Sequence, residues 1–339
     1  MENRTHFLQL ISQFKELGID KQIDYDKFYL YSMITHSTAI EGSTVTEVEN
    51  QLLFDEGISA KGRSMMEQLM NIDLKAAYDK ALIYAKEKSL FTVEMLKELS
   101  AQVMKNSGTT YNTMLGNFSS ANGDLRLLNV TAGVGGRSYM NFTKVPDKLQ
   151  ELCIWINDRR SIISRDDIID CYQLSFDIHY KLVTIHPWAD GNGRMARLVM
   201  NLIQLELGVI PSIIKSSRKF EYIEALIATR EMEDINIFRK FMFEEHISNI
   251  NSMIINYKNS IEEGDSVDVP INVPINVPIN SRENMIIDIL SKDGSITTRE
   301  LAERLNVSEK TIKRHISSLK ERNIIIRKGS NKSGSWEIL

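Results

Sequence analysis

Between His186 and Arg197 the chain brings together one imidazole, one carboxylate, two glycines and two guanidinium groups, in the run His186-Pro187-Trp188-Ala189-Asp190-Gly191-Asn192-Gly193-Arg194-Met195-Ala196-Arg197. Gly191 and Gly193 let the backbone N–H groups around Asn192 converge on an anion. A helix predicted from Arg194 to Ile203 points its N-terminus at the same place. Arg194 and Arg197 are three apart, share a helix face and can both reach one polyanion, the planar fork being suited to phosphate oxygens. Asp190 lies just before this nest, and one carboxylate with phosphate oxygens and water is the usual way to hold Mg²⁺, which dehydrates reluctantly. His186 is the only neutral-pH base of the motif. Each feature alone has an ordinary structural explanation: a helix cap, an Asp-Gly turn, a solvent-facing arginine pair. Together within twelve residues they point to a hydroxyl attacking a Mg²⁺-bound nucleotide phosphorus.

Other chemistries fit less well. Gly191 to Ala196 matches G-x-G-x-x-A on paper, but that fingerprint needs a preceding strand, and here a helix and a His-Pro corner come first. No G-x-x-x-x-G-K-[ST] run exists in the chain. Of the six histidines only His179 and His186 are close, and their spacing matches no zinc pattern. Cys153 and Cys171 have no metal or redox spacing and read as buried thiols in a reducing, cytoplasmic compartment. Met1 to Leu10 mixes charges with apolar residues and no later stretch has bilayer-spanning length, so neither secretion nor a membrane association is expected.

The elements that must position these residues read as mostly α, in at least two domains, as 339 residues with 42% apolar and 25% charged content suggest. Phe7, Leu8, Ile11, Phe14 and Leu17 fall at helical spacing before Gly18. Thr46 with Glu49 predicts a capping box for a helix through Leu53. Ser164 with Asp167 predicts another for a long helix to about Val183, with Ile168, Cys171, Leu174, Ile178 and Leu182 on one stripe. Asn122-Gly123 is a hairpin-turn dipeptide between segments 116–121 and 125–130, so a short hairpin is expected there. Gly133, Gly135 and Gly136 mark a loop, and Val145-Pro146 leads into a helix with Leu149, Leu152, Ile154 and Trp155.

Net charge is −4, but residues 281–339 hold 12 Lys and Arg against 8 Asp and Glu, which is +4 and leaves −8 for the rest. Before that segment Val-Pro-Ile-Asn repeats three times over residues 269–280, a composition for an extended, semi-rigid linker, with an edge strand as the other reading. Beyond it a helix from Arg282 to Ser291, a second one capped by Thr297 and Glu300, and a third reaching Arg322 have helix-turn-helix spacing. Ile312, Ile316 and Leu319 form the third helix's apolar stripe, leaving Lys310, Lys313, Arg314 and Lys320 outside as candidates for DNA phosphates or base edges. Residues 323–328 and 335–339 read as two strands of a wing. This part resembles the winged-helix domains of bacterial regulators, for which double-stranded DNA and protein docking are both available roles.

The run from His186 to Arg197 resembles the signature of the Fic family of nucleotide transferases. Ser37-Thr38-Ala39-Ile40-Glu41-Gly42 resembles that family's inhibitory Ser/Thr-x-x-x-Glu-Gly motif, here N-terminal to the core, and Gly123-Asp124-Leu125-Arg126 through Val130 to Gly136 resembles its flap hairpin. Trp188 stands in place of the commoner Phe, and the aromatic expected after Asp234 is shifted to Phe238. The likeness covers most of residues 30–250 and implies a helical bundle with a β-hairpin flap over 1–262, then the linker 263–281 and a winged helix-turn-helix domain over 282–339. It also implies transfer of AMP from ATP to a Ser, Thr or Tyr hydroxyl of a target protein, with attack at the α-phosphorus. His186 would be the base and Asp190 the Mg²⁺ ligand, with Gly191, Asn192, Gly193, Arg194 and Arg197 on the phosphates and Tyr222 near the sugar or base. For Tyr222 simple helix packing is the alternative. Ser37 and Glu41, four apart on one helix face, would form the brake by pairing Glu41 with Arg197. Another nucleotide donor, removal of AMP, or a DNA-binding regulator with a nucleotide-sensing domain are the competing functions; a homo-oligomer is compatible with all of them.

Overall fold

Thirteen of the sixteen residues from Asn192 to Leu207 are buried, and a helix covered on every face lies at the centre of its bundle. The structure, a computed structural model, describes residues 2–132, 138–264, 286–287, 289–291, 293–305, 309–321, 325–328 and 335–338. It divides the chain into one unit of residues 1–269 and a second of 270–339. The first unit contains, among its described residues, helices α1 (Glu2–Glu16), α2 (Tyr25–Ile40), α3 (Glu47–Asp55), α4 (Met65–Glu87), α5 (Val93–Val103), α6 (Val145–Ile162), α7 (Ile168–Ile185), α8 (Asn192–Leu207), α9 (Lys219–Met232) and α10 (Ile235–Gly264). Helices α7 and α4 flank α8, while α2 and α5 complete its surroundings towards its N-terminal end. Apolar side chains from nearly all ten helices join in one core, including Phe14, Ile34, Leu74, Leu96, Leu149, Phe176, Leu198 and Phe238.

Local chemistry sets most boundaries. Gly18, at φ +64°, follows α1. The Thr46 and Glu49 side chains form a reciprocal capping box for α3, and Ser64 with Glu67 does so for α4. At α7 the expected cap moves: Asp167, not Ser164, receives the N–H of Asp170, while the Ser164 hydroxyl accepts from the Asp166 N–H. Asp167 is one residue before the first helical φ/ψ, where a cap must sit, and Ser164 is three residues too early. Along α7, Cys171, Leu174, Ile178 and Leu182 are buried as the periodicity requires.

The hairpin also lies elsewhere than expected. Strands β1 (Thr110–Thr113) and β2 (Gly116–Ser119) pair antiparallel, Thr110 opposite Ser119 and Thr113 opposite Gly116, so Met114 and Leu115 make the turn. Asn122-Gly123 instead closes a single 3₁₀ turn over Ser120–Asn122, and the segment after it is not a strand. Gly123 sits at φ +70°, and a Cβ there would lie 2.0 Å from the carbonyl oxygen of Lys97. Gly123→Ala is therefore expected to cost roughly 2–4 kcal/mol, through both the left-handed backbone and the overlap with a helix carbonyl. A fall in the urea midpoint at unchanged slope measures it; an unshifted midpoint refutes it.

In the second unit residues 286–287 and 289–291 are helical, followed by α11 (Thr298–Arg304), α12 (Glu309–Glu321) and an antiparallel pair, β3 (Ile325–Lys328) and β4 (Ser335–Ile338). Thr297 and Glu300 form the capping box that opens α11. Ile286, Leu290, Leu301, Ile312, Ile316, Leu319, Ile325 and Trp336 make a separate small core. The Val-Pro-Ile-Asn repeat, the glycines at 133, 135 and 136, and the connection 329–334 lie outside the described residues.

Candidate active site

Helix α7 ends on His186, whose left-handed backbone (φ +53°, ψ +62°) turns the chain into the loop that re-enters as α8. The loop is stapled from inside. The Asn192 amide accepts from the Trp188 N–H at 3.1 Å and donates to its carbonyl at 2.8 Å, while the fully buried Trp188 donates from its indole to the Gly123 carbonyl. Asn192, expected as a phosphate ligand, thus spends its side chain on the loop and leaves its N–H for an anion. Gly191 (φ +80°) caps α8, and the first-turn N–H groups have no earlier helical carbonyl to bond.

The two arginines share a helix but face different partners. Arg197 is buried and donates from Nε to the Ser37 hydroxyl at 2.8 Å, and from Nη2 to the Ser37 carbonyl at 2.9 Å and to Glu41 Oε1 at 2.6 Å. Burial alone would raise the Glu41 carboxyl; the Arg197 charge and hydrogen bond, with Arg194 and Lys219, hold it below its usual range. Glu41 also lies against the glycine turn, since a Cβ on Gly193 would be 2.6 Å from its Oε1. Arg194, equally buried, bonds the Val103 carbonyl and the Met104 sulfur, its Nη2 is 4.0 Å from Asp190 Oδ2, and its Nε has no partner among the described residues. Asp190 is exposed, with Oδ1 accepting from the Gly191 N–H. A lone, open carboxylate beside unpaired phosphate-type donors fits a Mg²⁺ that arrives with a nucleotide, whereas the described residues include no group of three or more His, Cys, Asp or Glu able to hold a metal alone.

His186 is half-buried and its ring stacks on that of Tyr139, centroids 3.7 Å apart. Burial pushes its imidazole down to about 4, against the pull of the Val183 carbonyl and Glu41, so it is neutral at pH 7 but less basic than a free histidine. Tyr222 is buried, its hydroxyl 3.0 Å from His179 Nε2 and close enough to Arg197 to bear on its charge. It therefore stands behind Arg197. Phe238 stacks on His179 at 5.1 Å in the same cluster. A cavity of about 290 Å³ lies between α7 and α9, lined by Tyr180, Lys181, Thr229 and Arg230 among others.

Several residues that set this geometry were not singled out from the sequence. The Asn71 amide receives Thr38 and Asn50 on its oxygen, at 2.8 and 2.9 Å, and donates to the Ser43 hydroxyl and the Glu67 carbonyl, so α3 and α4 clamp the end of α2 that carries Glu41. Arg126 joins the His-Pro corner to the segment around the bridge between Thr131 and Ser138. In the second unit Lys313 is exposed and pairs with Glu309 on α12, and Lys320 is exposed; the side chains of Lys310 and Arg314 lie outside the described residues.

Residues 90–204 match the Fic/DOC family and residues 279–326 match the winged helix-turn-helix DNA-binding family. The chain is 26% identical over 247 residues to protein adenylyltransferase fic-1 of Caenorhabditis elegans, covering 71% of this chain and 45% of that one. It is 27% identical over 263 residues to protein adenylyltransferase Fic of Nematostella vectensis, covering 71% and 57%. This chain thus spans about half the length of these relatives. A Fic-domain-containing signalling protein from Bacteroides thetaiotaomicron superposes with a TM-score of 0.60 at 22% identity, over 75% of this chain and 97% of that one, which speaks to the fold. With the bundle, the His186 corner and the α8 motif in place, residues 90–204 are similar to the Fic/DOC family and residues 279–326 to the winged helix-turn-helix DNA-binding family.

Proposed function

We propose that the chain is a self-restrained protein adenylyltransferase. The observation that carries this reading is the 2.6 Å contact between Glu41 and Arg197, beside a helix N-terminus that also presents His186 and Asp190: a carboxylate held over phosphate donors blocks a nucleotide without dismantling the site. In the reaction a target-protein hydroxyl attacks the α-phosphorus of ATP. An oxygen–phosphorus bond forms, the bond to the β-phosphate oxygen breaks, pyrophosphate leaves, and neutral His186 takes the hydroxyl proton. The N–H groups of Asn192, Gly193 and Arg194, with the guanidinium groups of Arg194 and Arg197, hold phosphate oxygens. Asp190 would hold Mg²⁺, which supplies charge neutralisation on the phosphates. Tyr139 keeps the imidazole plane fixed, and the cavity between α7 and α9 offers space for the nucleoside end. The names of the relatives agree with this activity. Incubating the Glu41→Gly protein with each labelled nucleoside triphosphate and Mg²⁺, then weighing the modified protein, tests it: addition of an AMP group and of no other is the expected result, and a different adduct or none overturns it.

The match of residues 279–326 favours a second activity, binding of duplex DNA by the winged unit. Lys313, exposed on α12, would meet a phosphate. In the full chain, Lys313→Ala is expected to flatten the slope of log affinity against log salt concentration by about 0.9, the share of one phosphate contact. An unchanged slope removes Lys313 from the interface, and salt-insensitive or absent binding removes the DNA reading.

A further inference from the structure

We propose that Arg126 is a positioning residue that ties His186 to Leu128 and Met140, on the two sides of the bridge between Thr131 and Ser138, an inference that rests on reading His186 as the base. Arg126 is 1% exposed, and the described residues offer it no carboxylate partner. Its guanidinium instead donates to three carbonyls: Nε to His186 at 2.7 Å, Nη1 to Leu128 at 2.8 Å and Nη2 to Met140. Its own N–H donates to the Pro187 carbonyl at 3.0 Å. A buried guanidinium without a counter-ion is costly, and neutral carbonyls return less of that cost than a carboxylate would.

What those carbonyls share is place. His186 closes α7 in the left-handed region, a conformation that a β-carbon disfavours and that persists only where its surroundings over-determine it. Leu128 precedes Thr131 and Met140 follows Ser138, the two residues of the bridge, so one planar fork ties both sides of that bridge to the corner that aims the imidazole. Tyr139, whose ring covers a face of His186, is the residue immediately before Met140. The backbone of His186 and the ring stacked on it therefore both answer to Arg126. Lysine cannot substitute, since an ammonium has no planar fork to reach three carbonyls of separate segments.

The test uses the full chain carrying Glu41→Gly, with Arg126→Gly or Arg126→Lys added. Both additions are expected to lower kcat for labelled ATP about 100-fold, as misplacement of a base does, while KM for ATP stays within about threefold. Ethylguanidinium, which fits the space left in Arg126→Gly, is expected to restore kcat at least about tenfold there and not in Arg126→Lys. Amide exchange reads the same coupling without nucleotide: the N–H of Tyr139, bonded to Val130, and that of His186, bonded to Leu182, should each lose about tenfold protection while α8 keeps its own. A kcat within about threefold of the parent, failure of ethylguanidinium to restore it, or exchange at Tyr139 and His186 that is unchanged or rises equally across α8 in both variants overturns the pin. If the Glu41→Gly parent transfers no label, the transferase reading falls, and exchange alone then decides Arg126.

Discussion

Glu41→Gly should raise the initial rate of AMP transfer roughly 30- to 160-fold over the native chain. The Glu41 carboxylate engages Arg197 Nη2 and lies against Gly193, so it both takes a phosphate donor and puts negative charge at the mouth of the anion site. One unit charge at about 4 Å from a phosphate oxygen costs about 4 kcal/mol at an effective dielectric of 20. The Glu41 side chain is 35% exposed, and solvent screening brings this to roughly 2–3 kcal/mol, which sets the predicted factor. Glu41→Gln separates charge from shape: the amide still occupies the space and bonds Arg197 but repels no phosphate, so its rate should lie between the two. Labelled ATP and a short time course measure all three, and equal rates in native and Glu41→Gly protein would remove the brake.

The contact between Glu41 and Arg197 illustrates what a sequence does and does not disclose. Spacing put Ser37 and Glu41 on one helix face and the resemblance alone suggested the partner Arg197, whereas the capping boxes at Thr46 and Thr297 and the apolar stripes of α7 and α12 were readable from local pattern. The loop from His186 to Arg197 was readable for the same reason: its groups are neighbours in the chain. What fixes Glu41 was not. Asn71 meets Thr38 across 33 residues and Asn50 across 21, and Arg126 reaches His186 across 60, distances over which no spacing rule applies. Buried amides and guanidinium groups also look like surface residues until the fold encloses them. The hairpin went astray through a different competition. Asn122-Gly123 has the composition of a two-residue turn, but its left-handed glycine is needed to pass under the Lys97 carbonyl, and the Thr110 to Ser119 pairing takes Met114 and Leu115 as its turn instead. The lowered basicity of His186 was equally invisible, because it follows from burial under Tyr139 and Arg126, which come from the flap and its approach.

His186→Ala, in the Glu41→Gly background, should lower the rate of AMP transfer by at least about a thousandfold, near the upper part of what a general base contributes. The imidazole sits at the α7–α8 corner, and the other titratable groups nearby are ill suited to replace it. Burial holds the Tyr139 hydroxyl above its ordinary range, and Glu41 is absent in this background. Affinity for ATP should change little, since the α8 N-terminus and Arg197 are untouched. The pH dependence supplies an independent check. Burial disfavours the imidazolium, so the active neutral form survives well below pH 6.5; the rate should be nearly level from pH 8 to about 5 and fall tenfold per unit below about 4, where His186 gains its proton. Rates in His186→Ala above a tenth of the parent, with ATP binding intact, would place the base elsewhere, and a limb at pH 6.5 would mean that His186 is solvated when the target binds.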